Sequence, residues 1–478
     1  MKLAILGGGG FRTPLVYQAV ATGAGGLVDG FEVTEIALYD VDAQRLAAIE
    51  AVIRAYVDGH LTPASGAASP PRLSVTTDLV EAVSGADVVF SAIRVGGATG
   101  RILDERVALE TGLLGQETIG AGGLAYALRT IPVMRRIAHV IAEHAPGAWV
   151  INFTNPAGIV TEAMQAVLGS RAVGICDTPI GLVARVARLL GVPGADVSTR
   201  VSCDYAGINH LGWLRGVRVD GTERLPEILA SDAALQQIEE ARLVGADWVR
   251  AEAAIPNEYL YYYLDARAAA ERAGSAEQTR GEFLHAQQGR FYAEALGARD
   301  AYALWREVLR EREATYMAEA RADGEDREEA DITAGGYHEV ALRLMAALVS
   351  GREDRMILNV ANRTGGAGGI AGLPVLAALP ADMTIEVPCR MDAAGIHPEP
   401  VSPLPLEHLG LVARQRGAER HILAAALTGS REEAWLGFST HPLISSPALG
   451  KVLLERYEAA HPQIAALFAE GAAPSARL

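Results

Sequence analysis

The chain opens on an apolar run, Lys2–Leu6, that passes directly into four glycines, Gly7–Gly10, and then into Thr13-Pro14. No other stretch constrains the fold as tightly. A strand that ends in glycines and meets a helix start lets the backbone approach a pyrophosphate, which the helix amides and dipole then hold. Gly7, Gly9 and Gly10, followed by Phe11 and Arg12, are the expected cofactor contacts. Arg12 stands where the dinucleotide fingerprint has its third glycine, and a tight turn that binds nothing is the plainer alternative. Asp40 favours the nucleotide, because it ends the second apolar run and is placed to accept hydrogen bonds from a ribose. An acid there repels a 2′-phosphate, so NAD is expected over NADP.

Short apolar runs then alternate with helical spacing. The runs are Lys2–Gly7, Glu35–Asp40, Leu73–Thr77, Asp87–Ile93, Ala148–Thr154 and Ala172–Asp177, and segments such as Ala47–Tyr56 and Ala125–Ala142 lie between them. This order predicts an α/β fold, a Rossmann-like doubly wound parallel sheet over residues 1–190. Three junctions, Thr13-Pro14, Asn155-Pro156 and Thr178-Pro179, read as a cap residue followed by proline at the first helical position. All three are expected along the carboxyl edge of the sheet, where open α/β folds bind ligands.

Beyond residue 190 the pattern shifts. Val197–Tyr205 and Leu214–Val219 read as strands, Arg290–Tyr316 and Gly336–Leu348 as long amphipathic helices, and Arg321–Asp331 as a charged connection. Extended sequence returns at Met356–Val360 and Met383–Pro388, helices follow, and the tail Gly471–Leu478 reads as frayed. Residues 191–470 are expected to form a C-terminal α+β, mostly helical domain.

Composition removes several classes of function. The 478 residues carry 42 Lys plus Arg against 58 Asp plus Glu, a formal charge of −16 that disfavours nucleic acid as a partner. No apolar run reaches the ~20 residues of a membrane helix, and the opening run is too short for a signal peptide. Three cysteines, Cys176, Cys203 and Cys389, cannot build a disulfide framework and point to the cytoplasm.

Several residues could carry chemistry. Cys176 and Asp177 end a strand on the ligand-binding edge, although a buried cysteine is more often an inert small hydrophobe. His210 lies among apolar residues in Gly207–Trp213 and is either a hydrogen-bonded core residue or, with Cys176, half of a two-ligand set for a divalent metal. Pro256–Tyr263 holds four tyrosines, which either pack at a junction or supply a base. Arg94 and Arg101 follow the fourth strand beside glycines, a good place to grip an anion.

Taken together, these segments resemble glycoside hydrolase family 4, the NAD- and divalent-metal-dependent glycosidases. The likeness rests on the Gly7–Pro14 turn, Ile93-Arg94-Val95-Gly96-Gly97, Gln116-Glu117-Thr118, Gly122-Gly123, Asn152–Gly158, Ile175–Gly181, Gly207–Trp213 and Pro256–Tyr263. The resemblance implies hydrolysis outside the two-carboxylate scheme. NAD⁺ oxidises the sugar at C3, a base removes the acidified C2 proton, the C1 group leaves, water adds and the hydride returns. It further implies Cys176 and His210 as ligands of Mn²⁺ or another divalent metal, Tyr259 as the C2 base, and Arg94, Asn155 and Asn209 as substrate contacts. Homodimers or homotetramers are implied as well.

Within the resemblance, aspartate or asparagine after the cysteine, with a proline following, marks enzymes acting on phosphosugars. Asp177 is typical of α-specific members, where it can be the general acid. Thr178 departs from the methionine of that group, and Ile255–Tyr263 looks more like the β group. A 6-phospho-β-glucosidase is therefore expected, with a 6-phospho-α-glucosidase as the alternative. Two readings from other classes remain open. A malate- or lactate-type NAD-dependent dehydrogenase would leave the cysteine–histidine pair and the tyrosines idle, and a non-catalytic nucleotide sensor explains that pair poorly.

Overall fold

The computed structural model describes residues 1–22, 32–61, 70–315, 337–364 and 372–471. The apolar runs of the first half become β1 (Lys2–Leu6), β2 (Glu35–Tyr39), β3 (Arg72–Thr76), β4 (Val88–Ser91), β5 (Trp149–Asn152) and β6 (Ala172–Gly174). They pair in parallel in the order β3-β2-β1-β4-β5-β6. This is the doubly wound arrangement, and its order reverses between β1 and β4, which opens a crevice at their carboxyl ends.

The same sheet continues with strands from the second half. These are β7 (Val201–Ile208), β8 (Leu211–Val219), β9 (Thr222–Glu223), β10 (Ile255–Pro256), β11 (Asp354–Ala361), β12 (Thr384–Asp392) and β13 (Gly395–Pro398). β11 pairs antiparallel with β6, and the order runs on through β12, β7 and β8 to β10. The backbone ladder is therefore unbroken across residue 190.

Both faces of the sheet are covered, which is why its strands read as apolar runs. Leu3, Ile5, Ile36 and Leu38 face a core completed by Trp305, Leu344 and Met345. Ala4, Leu6, Val89 and Val150 face the opposite core, with Leu128, Ile131, Ile422, Phe438 and Tyr457. Helices from the end of the chain thus pack on the helix Gly120–His144 of the first half. Each fully buried Leu or Ile contributes roughly 1.5–3 kcal/mol.

The three helix junctions lie at the carboxyl edge as expected, but not in the expected cap-then-proline form. Thr13 is itself the first residue of Thr13–Thr22. Pro156, after a cis bond from Asn155, takes the cap position of Ala157–Leu168. Cys176 takes the cap position of Asp177–Leu189, so Thr178 and Pro179 sit inside the first turn. Proline tolerates the whole first turn, where no intrahelical donor is required. Two further differences concern element bounds. Val197–Arg200 is a short helix before β7. Arg290–Tyr316 is two helices, Arg280–Glu294 and Ala301–Ala314, with Asp300 capping the second through the Ala303 amide. The connection Arg321–Asp331 and the tail beyond Gly471 lie outside the described residues. Among the described residues, no helix is long and apolar enough to cross a membrane.

Candidate active site

The glycine turn closes on the end of β2. Gly7 has φ +85°, and a Cβ there would lie 2.6 Å from the Ala92 carbonyl oxygen, so only glycine lets the turn pass this close to the end of β4. The Gly7 and Gly8 amides both donate to the Tyr39 carbonyl, at 2.9 and 2.7 Å. The Asp40 carboxylate accepts from the amides of Gly9 (3.2 Å) and Asp42 (3.1 Å). Burial raises its pKa, against the pull of those amides and of Arg45. Tyr292 ties the turn to a helix of the second half by donating to the Gly9 carbonyl at 2.7 Å. The Phe11 side chain turns inward, edge-on to Phe291 at 5.1 Å, and its carbonyl accepts from Trp305 Nε1 at 2.8 Å. Gly7, Gly9, Gly10 and Asp40 thus share one turn, whereas Phe11 serves the core.

Beyond that turn lies a cluster of charge. Arg12 pairs with Glu313 at 2.6 Å. Arg94 and Arg101 converge on Glu117, the second at 2.7 Å, and Arg101 also pairs with Glu105 at 2.7 Å. Burial opposes the Glu117 anion, but Arg101 and Arg94 outweigh it and bring its pKa down to about 2. Arg280 donates to the Thr315 hydroxyl and the Arg312 carbonyl, at 2.7 and 2.9 Å. Burial, together with Arg12, Arg280 and Arg101, pushes the Arg312 pKa down, with Glu313 opposing. Among the described residues, Arg12, Arg94, Arg101, Arg280 and Arg312 gather here with Glu105, Glu117 and Glu313. Arginines gathered in this way suit a phosphate.

The third part is a set of soft donors and rings. Cys176 is buried where β6 gives way to its helix, and the Thr178 hydroxyl beside it donates to Glu258 at 3.2 Å. Burial, then Glu386 and Asp177, raises the thiol pKa. His210 sits in the two-residue connection between β7 and β8 with φ +65°. Burial lowers its pKa to about 3, against a smaller opposing effect of Glu117, so the ring is neutral and keeps a lone pair. Tyr259 lies flat on that ring, with centroids 3.7 Å apart. Of the other tyrosines, Tyr261 and Tyr262 pack with Leu114 and Ile119, and the Tyr263 hydroxyl donates to Gln415 at 3.3 Å. Tyr259 alone of the four therefore stacks on His210.

A buried carboxylate joins these pieces. Glu386 on β12 accepts from Tyr205 (3.0 Å), Asn209 (3.3 Å) and Asn359 (2.9 Å). Cys176 feels its charge, and Asn209 adjoins His210, so both expected ligands border this group. Among the described residues no group of three or more His, Cys, Asp or Glu side chains could hold a metal ion. A thiol and a neutral imidazole still suit a divalent metal that takes its other ligands from substrate and water. Asn155 Oδ1 is buried with no hydrogen-bond partner, an acceptor that a ligand could satisfy. Asp177 opens the helix beside Cys176.

Sequence reasoning missed Glu386, Tyr205, Asn257, Arg280 and Arg312. The available signal for Glu386 is an acid inside the apolar extended run Met383–Pro388. Arg280 and Arg312 lie on amphipathic helices and read as surface residues.

The chain matches a model described as family 4 glycosyl hydrolase over residues 2–192, and the model of that family's C-terminal domain over 205–444. It is 30% identical over 471 residues to a probable 6-phospho-beta-glucosidase of Bacillus subtilis strain 168, covering 96% of each chain. A 6-phospho-alpha-glucosidase from gut microorganisms, solved in complex with NAD and Mn²⁺, superposes with a TM-score of 0.75 at 26% identity, covering 96% of this chain and 97% of that one. The 6-phospho-beta glucosidase of Thermotoga maritima shares the fold, with a TM-score of 0.76 at 23% identity over 97% of this chain and 99% of that one.

Proposed function

Because the chain belongs to family 4 of the glycosyl hydrolases, we propose that it cleaves the glycosidic bond of a 6-phosphoglucoside, with NAD⁺ and a divalent metal, Mn²⁺ first, as cofactors. The observation that carries this is the placing of His210 and Tyr259 in ring contact beside the arginine cluster, since Glu117 at the centre of that cluster acts on His210. When bound, the nicotinamide supplies hydride transfer at sugar C3 and the metal supplies Lewis-acid polarisation that acidifies C2.

The chain's own residues do the rest. Gly7, Gly9 and Gly10 present backbone to the pyrophosphate, and Asp40, anchored by two amides, faces the ribose. Cys176 and His210 are the metal donors, one soft and one a neutral imidazole. The Tyr259 phenolate oxygen takes the C2 proton, and Asp177 donates a proton to the leaving oxygen. Arg94, with Arg12, Arg280 and Arg312 around it, takes the 6-phosphate, while Asn155 and Asn209 contact the sugar.

The β-anomer is the first choice, on the likeness of Ile255–Tyr263 to the β group and on the Bacillus relative. The α-anomer is the second reading, favoured by Asp177 directly after Cys176 and by the gut 6-phospho-alpha-glucosidase. The family models end and begin at 192 and 205, which supports a division of the chain near residue 190. The test is a panel of α- and β-nitrophenyl glucosides, with and without 6-phosphate, assayed with NAD⁺, Mn²⁺ and thiol. Release of nitrophenol from one phosphorylated anomer, without net NADH, is expected. Net NADH accumulation would instead identify a dehydrogenase.

A further inference from the structure

Glu386 has no part in the chemistry above, yet three donors from different segments end on it. Asn359 reaches Oε1 from β11 at 2.9 Å, Asn209 reaches Oε1 from the β7–β8 connection at 3.3 Å, and the Tyr205 hydroxyl reaches Oε2 from β7 at 3.0 Å. Glu386, Asn359 and Tyr205 are all fully buried. The chain of bonds continues. Asn257 Nδ2 donates to the Tyr205 oxygen at 3.3 Å, and Asn257 Oδ1 accepts from the Tyr259 amide at 3.0 Å. Strand register sets the meeting point, with Glu386 opposite Gly207 on β7 and opposite Asn359 on β11.

A buried carboxylate is a costly choice for packing alone. Burial raises its pKa to about 7, and the three donors oppose that rise; as a carboxylate it offers acceptor capacity on both oxygens. The Tyr205 hydroxyl accepts from Asn257 and needs somewhere to send its proton, and Oε2 is that place. A carboxamide would keep Oε1 for the two asparagines but would set an N–H₂ against the tyrosine hydroxyl. The arm leading to Tyr259 would then lose its anchor, while the arm to Asn209 survived.

Resting on the function proposed above, we infer that Glu386 is a positioning residue: it fixes Asn209 beside His210 and, through Tyr205 and Asn257, the backbone of Tyr259, so that the loop of the metal donor and the turn of the C2 base share one anchor. Misplacing a base by a fraction of an ångström costs rate at the step the base performs.

The test uses the full chain with NAD⁺ and Mn²⁺ and the nitrophenyl 6-phosphoglucoside that the wild type cleaves, carrying protium or deuterium at C2. For Glu386→Gln, kcat should fall about 10- to 100-fold, with KM held within about threefold. The primary isotope effect on kcat should rise, because proton removal becomes more fully rate-limiting. NAD⁺ affinity, read by direct titration at the distant glycine turn, should not change. Tyr205→Phe cuts the same arm while sparing the carboxylate, so it should reproduce both changes. It carries the test alone if Glu386→Gln does not fold. The inference is overturned if folded variants keep the wild-type kcat, or lose rate with an unchanged isotope effect. A wild type that cleaves no 6-phosphoglucoside overturns the reading of the site first, and this inference with it. That failure shows in the native protein before any variant is made.

Discussion

The His210 imidazole lies parallel to the Tyr259 phenol ring, 8° between their planes and 3.7 Å between centroids. The two residues come from different loops, the β7–β8 connection and the turn Glu258–Leu260 that follows β10. Their contact joins the expected metal donor to the expected base.

Tyr259→Phe keeps the stack and removes only the phenolic oxygen. Cleavage of the preferred 6-phosphoglucoside should fall about 10²- to 10⁴-fold, the usual contribution of a positioned general base. Melting temperature and NAD⁺ affinity should match the wild type. Steady-state kinetics beside a thermal melt check this, and a kcat within threefold of the wild type would assign the base elsewhere.

Metal dependence should follow Cys176 and His210 together. Chelation should abolish activity and Mn²⁺ should restore it. Cys176→Ser and His210→Ala should each weaken Mn²⁺ binding, measured by titration without substrate. Peroxide that oxidises Cys176 should block reactivation until a thiol reductant is added, because a sulfenic acid or disulfide no longer offers a thiolate. Full reactivation with the thiol shown to be oxidised would remove Cys176 from the ligand set.

Glu117 predicts an acid-limb dependence of stability. Its folded pKa, about 2, lies below the ordinary 4.5, so the unfolded chain binds the proton more readily. The stabilisation is complete above pH 4.5 and is lost as pH falls towards 2. The depression corresponds to about 3 kcal/mol. Urea melts from pH 6 to 2.5 should show this slope in the wild type and a flatter one in Glu117→Gln. Equal slopes would mean that Glu117 is not held as an anion.

Crowded arginines predict stabilisation by phosphate. Glucose 6-phosphate at about a hundred times its dissociation constant should add about 2.7 kcal/mol, a rise of roughly 2–5 °C in melting temperature. Unphosphorylated glucose should add far less, and Arg312→Gln should shrink the difference. Equal shifts with both sugars would place the 6-phosphate outside this cluster.

Much of the fold is legible because its signals are local. Gly7–Gly10 marks a turn that needs φ > 0 and close backbone approach, and the six parallel strands read as apolar runs because both sheet faces are buried. Cys176 and Asp177 could be placed at the ligand-binding edge because β6 ends just before them. The rest depends on partners distant in sequence. Asn359 and Glu386 meet only because β11 and β12 insert beside β6, which no periodicity reveals. Arg280 and Arg312 look solvated on their own helices and become a cluster only when those helices fold over the glycine turn. The expected caps failed for a local reason: proline fits any position of a helix's first turn, so it marks a boundary without fixing which residue caps it.

The continuous ladder from β3 to β10 bears on how substrate enters and leaves. Hydrogen-bonded strands resist rotation about a line drawn through them, and the joints β6–β11 and β12–β7, one residue pair each, are the points where the sheet can flex. Admission and release of a ligand then fall chiefly to the connections along the carboxyl rim.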